Sequence, residues 1–140
     1  MALSEAVKSE VRHRAEGCCE YCRHQEAFSS DSMAIDHILP KSRGGDDEPE
    51  NLALSCGGCN GRKYNKTEAI DPATGQTTDL FDPRQDAWNA HFQWSSDFAR
   101  MIGLTSKGRA TINLLKLNRA NLMRIGIVLV SVGKHPPSDA

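Results

Sequence analysis

Two cysteine pairs with the spacing Cys-x-x-Cys form the pattern in this sequence that indicates chemistry most directly. The pairs are Cys19/Cys22 and Cys56/Cys59. Zinc binds four thiolates in a tetrahedron, and each Cys-x-x-Cys turn supplies two of them from neighbouring backbone. We therefore predict one structural zinc site built from both pairs, with four buried reduced cysteines as the alternative. The fifth cysteine, Cys18, lacks this spacing and is expected to pack without binding the metal.

The segment between the two pairs contains a second pattern, an adjacent Asp36 and His37 at the end of a short apolar stretch. A neutral imidazole can accept the proton of a water molecule, and oxygen ligands can hold a hard divalent cation. Hydrolysis of a phosphodiester requires groups of both kinds. The alternatives are a partly buried structural histidine for His37 and a turn-forming acid before Pro40 for Asp36.

The elements that must position these residues are a helix, two strands and a second short helix. Apolar residues at four-residue spacing predict a helix from Ser4 to Glu16, with Ser4 as its cap and Gly17 at its end. Ser32–Ile38 and Asn51–Ser55 are predicted strands, separated by a glycine-rich, acidic loop. The second cysteine pair then leads into the short helix.

The composition of the chain changes near Thr67. The stretch that follows is rich in turns, and the aromatic segment from Trp88 to Phe98 is predicted to form a pair of short antiparallel strands. From Gly108 onward the chain is predicted to be mostly helical. We therefore divide the sequence into a zinc-stapled core, residues 1–66, and a C-terminal extension, residues 67–140.

Charge and hydropathy exclude several classes of protein. The 140 residues carry a formal net charge of −1, which favours no particular partner for the chain as a whole. The N-terminus is charged and amphipathic, unlike a signal peptide, and the longest apolar run is too short to span a bilayer. We expect a cytoplasmic protein without a membrane partner, in a reducing compartment where the cysteines do not form disulfides.

The order of motifs in the middle of the chain resembles the zinc-containing HNH endonucleases, whose catalytic unit is the ββα-metal, or His-Me finger, motif. The motif positions are Cys19-x2-Cys22, Asp36-His37-Ile38-x-Pro40-x-Ser42-x-Gly44-Gly45, Asn51-Leu52 and Cys56-x2-Cys59-Asn60-x2-Lys63. The tail, with its segments DPATGQTTDLF and GRAT, is also similar to that of small standalone bacterial members. The resemblance implies an α+β fold, with a ββα-metal nuclease core, a structural zinc site and a mixed, largely helical C-terminal extension.

The resemblance also implies roles for individual residues. His37 matches the general base, Asp36 matches a metal-binding carboxylate, and Asn51 matches a residue that bonds across the loop and orients the histidine. The position after the last cysteine is often histidine in the family. Here it is Asn60, which predicts an amide ligand, with a helix N-cap or turn residue as the alternative. Carboxylate and amide oxygens favour Mg²⁺ or Mn²⁺ as the catalytic ion.

Basic residues that flank the proposed site are candidates for contact with nucleic acid, because fixed cations bind backbone phosphates. They are Lys41, Arg43, Arg62, Lys63 and Lys66. The acidic sequence GGDDEPE would repel phosphates and is expected to point away. A basic stretch without acids, from Phe98 to Lys134, either extends this surface or is simply solvated. We expect His24 at the surface and His91, which lies between two tryptophans, in the core.

The function that the resemblance implies is metal-dependent hydrolysis of DNA phosphodiesters. Two alternatives use the same residues. One is a zinc-knuckle module that binds nucleic acid without cutting it, and the other is a nuclease subunit that needs a partner protein. Loss of cleavage without loss of binding in His37→Ala distinguishes the enzyme from the binding module. A monomer would more naturally nick DNA, whereas a homodimer would cut both strands.

Overall fold

The computed structural model of the protein describes residues 3–137, which form helices and three two-stranded antiparallel sheets. The α-helices are α1 (Glu5–Arg14), α2 (Gly57–Lys63), α3 (Trp88–His91), α4 (Ser106–Leu115) and α5 (Ala120–Ser131). The strands are β1 (Met33–His37), β2 (Leu52–Cys56), β3 (Glu68–Ile70), β4 (Thr77–Asp79), β5 (Phe92–Trp94) and β6 (Met101–Gly103). This mixture confirms the predicted α+β class. Residues 1–2 and 138–140, the outer ends of the two predicted segments, lie outside the described residues.

α1 forms where the sequence provides both a cap and an apolar face. The Ser4 hydroxyl accepts a hydrogen bond from the backbone N of Val7 at 3.2 Å, which caps the first turn. Val11 is buried against Leu52 and Leu54 of β2, so the helix covers one face of the first sheet. The prediction of this helix is confirmed, although it ends at Arg14 rather than Glu16.

β1 and β2 form an antiparallel pair whose strands lie within one residue of their predicted bounds. Met33 is opposite Cys56 and His37 is opposite Leu52, with no inserted residue between these two pairs. A regular strand points successive side chains to opposite faces. Asp36 and His37 therefore diverge, because β1 has no distortion that would turn the two side chains to the same face.

α2 begins directly after β2, and Cys56 is its N-cap residue. Cys59 and Asn60 both lie inside the helix, so the alternative that Asn60 caps it is wrong. The helix ends at Lys63, and Tyr64 follows with a positive φ of 48°. The order strand, strand, helix is the one that the resemblance implies.

The first part of the C-terminal extension differs from the prediction. Its turn-rich stretch contains the hairpin of β3 and β4. The aromatic segment is not a strand pair, because Trp88–His91 is helical and β5 pairs with β6, which lies beyond that segment. One helical turn brings Trp88 onto Phe92, with ring centroids 5.5 Å apart, and this contact between residues at i and i+4 explains the difference.

The predicted C-terminal helix is divided into α4 and α5. Lys116 adopts the left-handed conformation, with φ 52° and ψ 54°, and ends α4. α5 begins after Arg119, its N-cap residue. The chain changes direction between the two helices, so the basic stretch of the sequence does not lie on one helical face.

One hydrophobic core joins the cysteine pairs to the extension. Besides the four cysteines of the two pairs it contains Tyr21, Ala53, Phe81, Trp88, Phe92, Met101, Leu115 and Leu117. Trp94 packs against this core, next to the buried Trp88 and Phe92. Within residues 3–137, no helix combines the length and the hydropathy needed to cross a membrane.

Candidate active site and zinc centre

The two Cys-x-x-Cys pairs come together in the interior. The four sulfur atoms, from Cys19, Cys22, Cys56 and Cys59, all lie within 4.8 Å of one another, and all four residues are buried. The Cys22 and Cys56 sulfurs are 3.8 Å apart. Zinc–sulfur bonds of about 2.3 Å in a tetrahedron separate the sulfurs by about 3.8 Å, so the cluster fits a structural zinc. Cys18 is buried outside this cluster, where its thiol donates to the Glu16 carbonyl.

Local structure brings the ligands of each pair to the same point. In the first turn, the backbone N of Cys19 donates to the His24 carbonyl at 2.9 Å, and the N of Arg23 donates to the Cys19 carbonyl at 2.9 Å. In the second, Cys56 ends β2 and Cys59 lies one turn into α2. Hydrogen bonds from the other cysteines, that from Cys19 above all, lower the pKa of Cys56. Zinc binds this thiolate form.

His37 lies at the end of β1 with its side chain partly exposed, at 22 %. Its Nε2 is 2.8 Å from Oδ1 of Asp47, and the other oxygen of Asp47 accepts from the Lys41 ammonium at 3.1 Å. These hydrogen bonds, that with His37 first, lower the pKa of Asp47. The expectation that the whole acidic sequence GGDDEPE points away is therefore wrong for Asp47, because the loop turns this carboxylate onto the imidazole.

Asn51 holds the loop that carries Asp47. Its side-chain oxygen accepts from the backbone N of Leu39 at 2.8 Å, and its side-chain nitrogen donates to the carbonyls of Leu39 and Asp46 at 3.0 and 2.9 Å. A Cβ at Gly45 would lie 1.7 Å from the Leu39 carbonyl oxygen, so this close approach requires glycine. The amide thus joins the two ends of the loop beside His37, and Gly45 serves the fold of that loop.

Asp36 points from β1 into the interior and is only 4 % exposed. One carboxylate oxygen accepts from the Tyr21 hydroxyl at 2.7 Å and lies 3.2 Å from the Lys63 ammonium. Burial raises the pKa of Asp36, while the charge of Lys63 and the hydroxyl of Tyr21 act in the opposite direction. Asp36 is therefore a buried carboxylate that already has one cationic partner.

Lys63, the last residue of α2, is 2 % exposed and fully engaged. Besides pairing with Asp36, its ammonium donates to the carbonyls of His37 and Ile38 at 3.2 and 3.1 Å. These bonds link the end of α2 to the end of β1. The expectation that Lys63 contacts nucleic acid does not fit this position, because its charge is not presented to solvent.

Asn60 follows Cys59 directly on α2 and is half-buried. Among the described residues, its side-chain amide makes no hydrogen bond, so its oxygen is available to a ligand. Asp36 and Asn60 together supply oxygen donors of the type that hard divalent cations prefer. In ligand type the pair fits Mg²⁺ or Mn²⁺.

The remaining basic candidates lie at the surface. Lys41, Arg43, Arg62 and Lys66 are exposed, and the Arg43 guanidinium donates to the Asn65 carbonyl at 2.8 Å. Some cations in the basic stretch of the extension form ion pairs within the fold. Lys107 pairs with Asp86 at 2.9 Å, and Arg109 pairs with Asp71 at 2.8 Å.

His24 and His91, whose positions were predicted from the sequence, differ in how well the structure agrees with the prediction. His24 was expected at the surface but is 7 % exposed, and its ring stacks on His135 with centroids 4.9 Å apart. Burial, reinforced by His135, lowers the pKa of His24 to about 4. His91 is half-buried against Phe81 and bonds the Thr105 hydroxyl at 2.7 Å, which agrees with a packing role.

The family model of the HNH endonuclease matches residues 19–66. This segment is an HNH domain. It begins at the first cysteine of the zinc cluster, includes β1, β2 and α2, and confirms the family resemblance for this part of the chain. Comparison with curated proteins and with solved structures found no match.

Three residues that sequence reasoning did not single out contact the key groups of the HNH domain. They are Tyr21, Asp47 and Arg119. Tyr21 lies within the first cysteine turn, but nothing in the sequence indicates that it reaches Asp36. Asp47 was considered only as part of an acidic run. Arg119 lies 60 positions from Cys59 in the sequence, and only the fold brings its guanidinium to the zinc-site sulfurs.

Proposed function

We propose that the protein is a metal-dependent endonuclease that hydrolyses DNA phosphodiester bonds, with His37 as the general base. The observation that carries the proposal is the hydrogen bond between the partly exposed His37 and Asp47, within an HNH domain. The lowered pKa of Asp47 keeps it a carboxylate, which only accepts hydrogen bonds. Nε2 of His37 is then the donor, and the lone pair of Nδ1 is free to take a proton from water.

Asn51 acts on this base through the loop. Its three hydrogen bonds fix the segment from Leu39 to Asp46, and Asp47 follows that segment directly. Since the carboxylate of Asp47 orients the imidazole, Asn51 is a positioning residue and His37 is the group that reacts. This division agrees with the structural role that the family resemblance implies for Asn51.

Asp36 and Asn60 are the residues that would hold the catalytic cation, Mg²⁺ or Mn²⁺. When bound, such an ion stabilises negative charge on the phosphate and on the leaving oxygen. Binding by Asp36 requires it to exchange a bond to Lys63 or Tyr21 for one to the cation. Because Asp36 and His37 point to opposite sides of β1, the end of the strand must also turn for both to act on one phosphate. Lys63 has two further acceptors, the carbonyls of His37 and Ile38, which keep its ammonium satisfied.

Contact with DNA is proposed for exposed cations that lie close in sequence to His37 and α2. Lys41, Arg43, Arg62 and Lys66 remain candidates, whereas the buried Lys63 is no longer one. Arg62, Arg100 and Lys116 line one concavity of about 370 Å³ that has no acidic residue in its wall. Cations without an acidic neighbour are the arrangement that phosphates favour.

The test compares wild type with His37→Ala on supercoiled plasmid in the presence of Mg²⁺ or Mn²⁺, after zinc content and folding have been shown to match. We expect nicking or linearisation by the wild type and a loss of at least about 10²-fold in the variant. His13→Ala is the control, because His13 is an exposed histidine on α1, outside the residues 19–66 that match the family model.

Two results contradict the proposal. If the wild type binds DNA without cutting it under any of these conditions, the chain is a binding module. If His37→Ala cuts as fast as His13→Ala, the assignment of the base is wrong. Cleavage that appears only after a partner protein is added identifies a partner-dependent subunit and leaves His37 to be tested in that complex.

A further inference from the structure

Arg119 connects the C-terminal extension to the cysteine cluster. One guanidinium nitrogen lies 3.6 Å from the Cys56 sulfur and 3.8 Å from the Cys59 sulfur, and the other lies 3.7 Å from the Cys59 sulfur. These distances are those of N–H···S hydrogen bonds to both cysteines of the second pair. The same guanidinium donates to the carbonyls of Leu115 and Lys116, at 3.1 and 3.3 Å.

The backbone places Arg119 at a junction. It is the N-cap residue of α5, and the two carbonyls that it binds lie at the end of α4. A single side chain therefore joins the end of one helix, the start of the next and the zinc-site turn.

Gly58 lies between the two cysteines of the second pair, and its lack of a side chain leaves room for the Arg119 guanidinium. A Cβ at Gly58 would lie 2.5 Å from a guanidinium nitrogen of Arg119 and 3.1 Å from its central carbon. Any side chain at this position would displace the guanidinium. The glycine does not have positive φ here, so its backbone conformation does not require it, and close approach is the physical reason for its small size.

The charge of a zinc centre explains what the contact does. The negative charge of four thiolates exceeds the positive charge of one Zn²⁺, so the centre is net anionic. A buried anion of this kind is stabilised by a cation and by N–H donors. On the premise that the four-cysteine cluster holds a structural zinc, we propose that Arg119 is a positioning residue of that centre. Its guanidinium holds the thiolates of Cys56 and Cys59 and slows the loss of zinc.

The experiment measures the rate at which zinc leaves the purified full-length protein when excess chromophoric chelator is added, in the absence of DNA. We expect Arg119→Met to release zinc roughly tenfold faster or more, because loss of an outer partner costs about 10–100-fold in metal affinity. Arg119→Lys retains the charge but not the forked donors, so its rate should be intermediate. Arg124→Met is the control, since Arg124 is exposed on α5.

A double-mutant cycle tests the contact itself. Gly58→Ala should speed zinc release in the wild-type background, and it should add much less in the Arg119→Met background, where no guanidinium remains to be displaced. This comparison does not depend on the absolute stability of either variant.

Release by Arg119→Met at the wild-type rate, or an equal acceleration by Arg124→Met, would overturn the proposal. A wild-type protein that carries no zinc would overturn it together with the structural zinc site. Because no nucleic acid is present, an inactive nuclease leaves these rates unaffected, so failure of the nuclease assignment is seen separately in the plasmid assay.

Discussion

The two sides of strand β1 place adjacent residues in opposite environments. On the interior side, Asp36 is buried, and its carboxylate is held by Tyr21 and Lys63. On the loop side, His37 is partly exposed and bonds Asp47. The interior side thus has a carboxylate paired with a buried cation, while the loop side has an imidazole that solvent can reach.

The two carboxylates illustrate the difference. Burial raises the pKa of Asp36, whereas hydrogen bonds lower the pKa of Asp47. Desolvation dominates where water is excluded, and donated hydrogen bonds dominate where it is not. We therefore expect changes at Asp36 and its partners to alter the free energy of unfolding, and changes at Asp47 to have little effect on it.

The largest expected effect is that of Lys63→Met on stability. Removing the ammonium leaves Asp36 as a buried carboxylate without a cation, and breaking a buried pair in this way costs about 3–5 kcal/mol. Denaturant unfolding at neutral pH measures the loss. Lys41→Met removes the corresponding lysine of the loop side, which is half exposed, and should change the free energy of unfolding by less than about 0.5 kcal/mol.

The double variant Lys63→Met with Asp36→Asn sharpens this result. Without a charge on either partner, part of the lost stability should return, because the unpaired carboxylate is gone. Equal losses in Lys63→Met and Lys41→Met would contradict the distinction between the two sides of the strand.

A smaller effect, on activity rather than stability, is expected for Asp47→Asn. The amide of the variant can donate a hydrogen bond to Nε2 of His37 as well as accept one. The variant therefore no longer fixes the tautomer in which Nδ1 is free. Plasmid cleavage should fall by roughly tenfold, less than the about 10²–10⁴-fold expected from loss of a general base. Unfolding measured in parallel should be almost unchanged, and a large loss of stability would mean that Asp47 is needed for the fold.

The smallest expected effect is the pH dependence of the contribution that Asp47 makes to the free energy of unfolding. Its pKa in the folded protein is below the ordinary value of 3.8, so the stabilisation is present above pH 3.8 and is lost as the pH falls through the folded value. The difference in stability between wild type and Asp47→Asn should shrink below pH 3.8. Urea unfolding at several pH values measures it, and acid effects on the zinc site are common to both proteins. A difference that grows in acid would contradict the assigned direction.

Much of the fold of residues 3–66 could be predicted from local patterns in the sequence. The cap at Ser4, the apolar spacing of α1 and the short apolar runs of β1 and β2 act over a few residues. These elements agree with the prediction to within one or two positions. The four-cysteine cluster could be predicted equally well, since ligand type and Cys-x-x-Cys spacing are also local features of the sequence. The extension was less predictable. Trp88–His91 forms a helical turn that brings the Trp88 ring against Phe92, although the sequence pattern indicates a strand.

The partners of individual charges were beyond the reach of sequence patterns. Lys63 and Asp47 were interpreted from charge alone, as a phosphate contact and as a repelled acid, and in the fold they meet Asp36 and His37 instead. Arg119 was one cation in a basic stretch until α4 and α5 brought it to the thiolates. Residue type and spacing specify which chemistry a group can do. The return of distant chain segments decides which partner it meets, because burial and Coulomb interaction depend on distance in space rather than on position in the sequence.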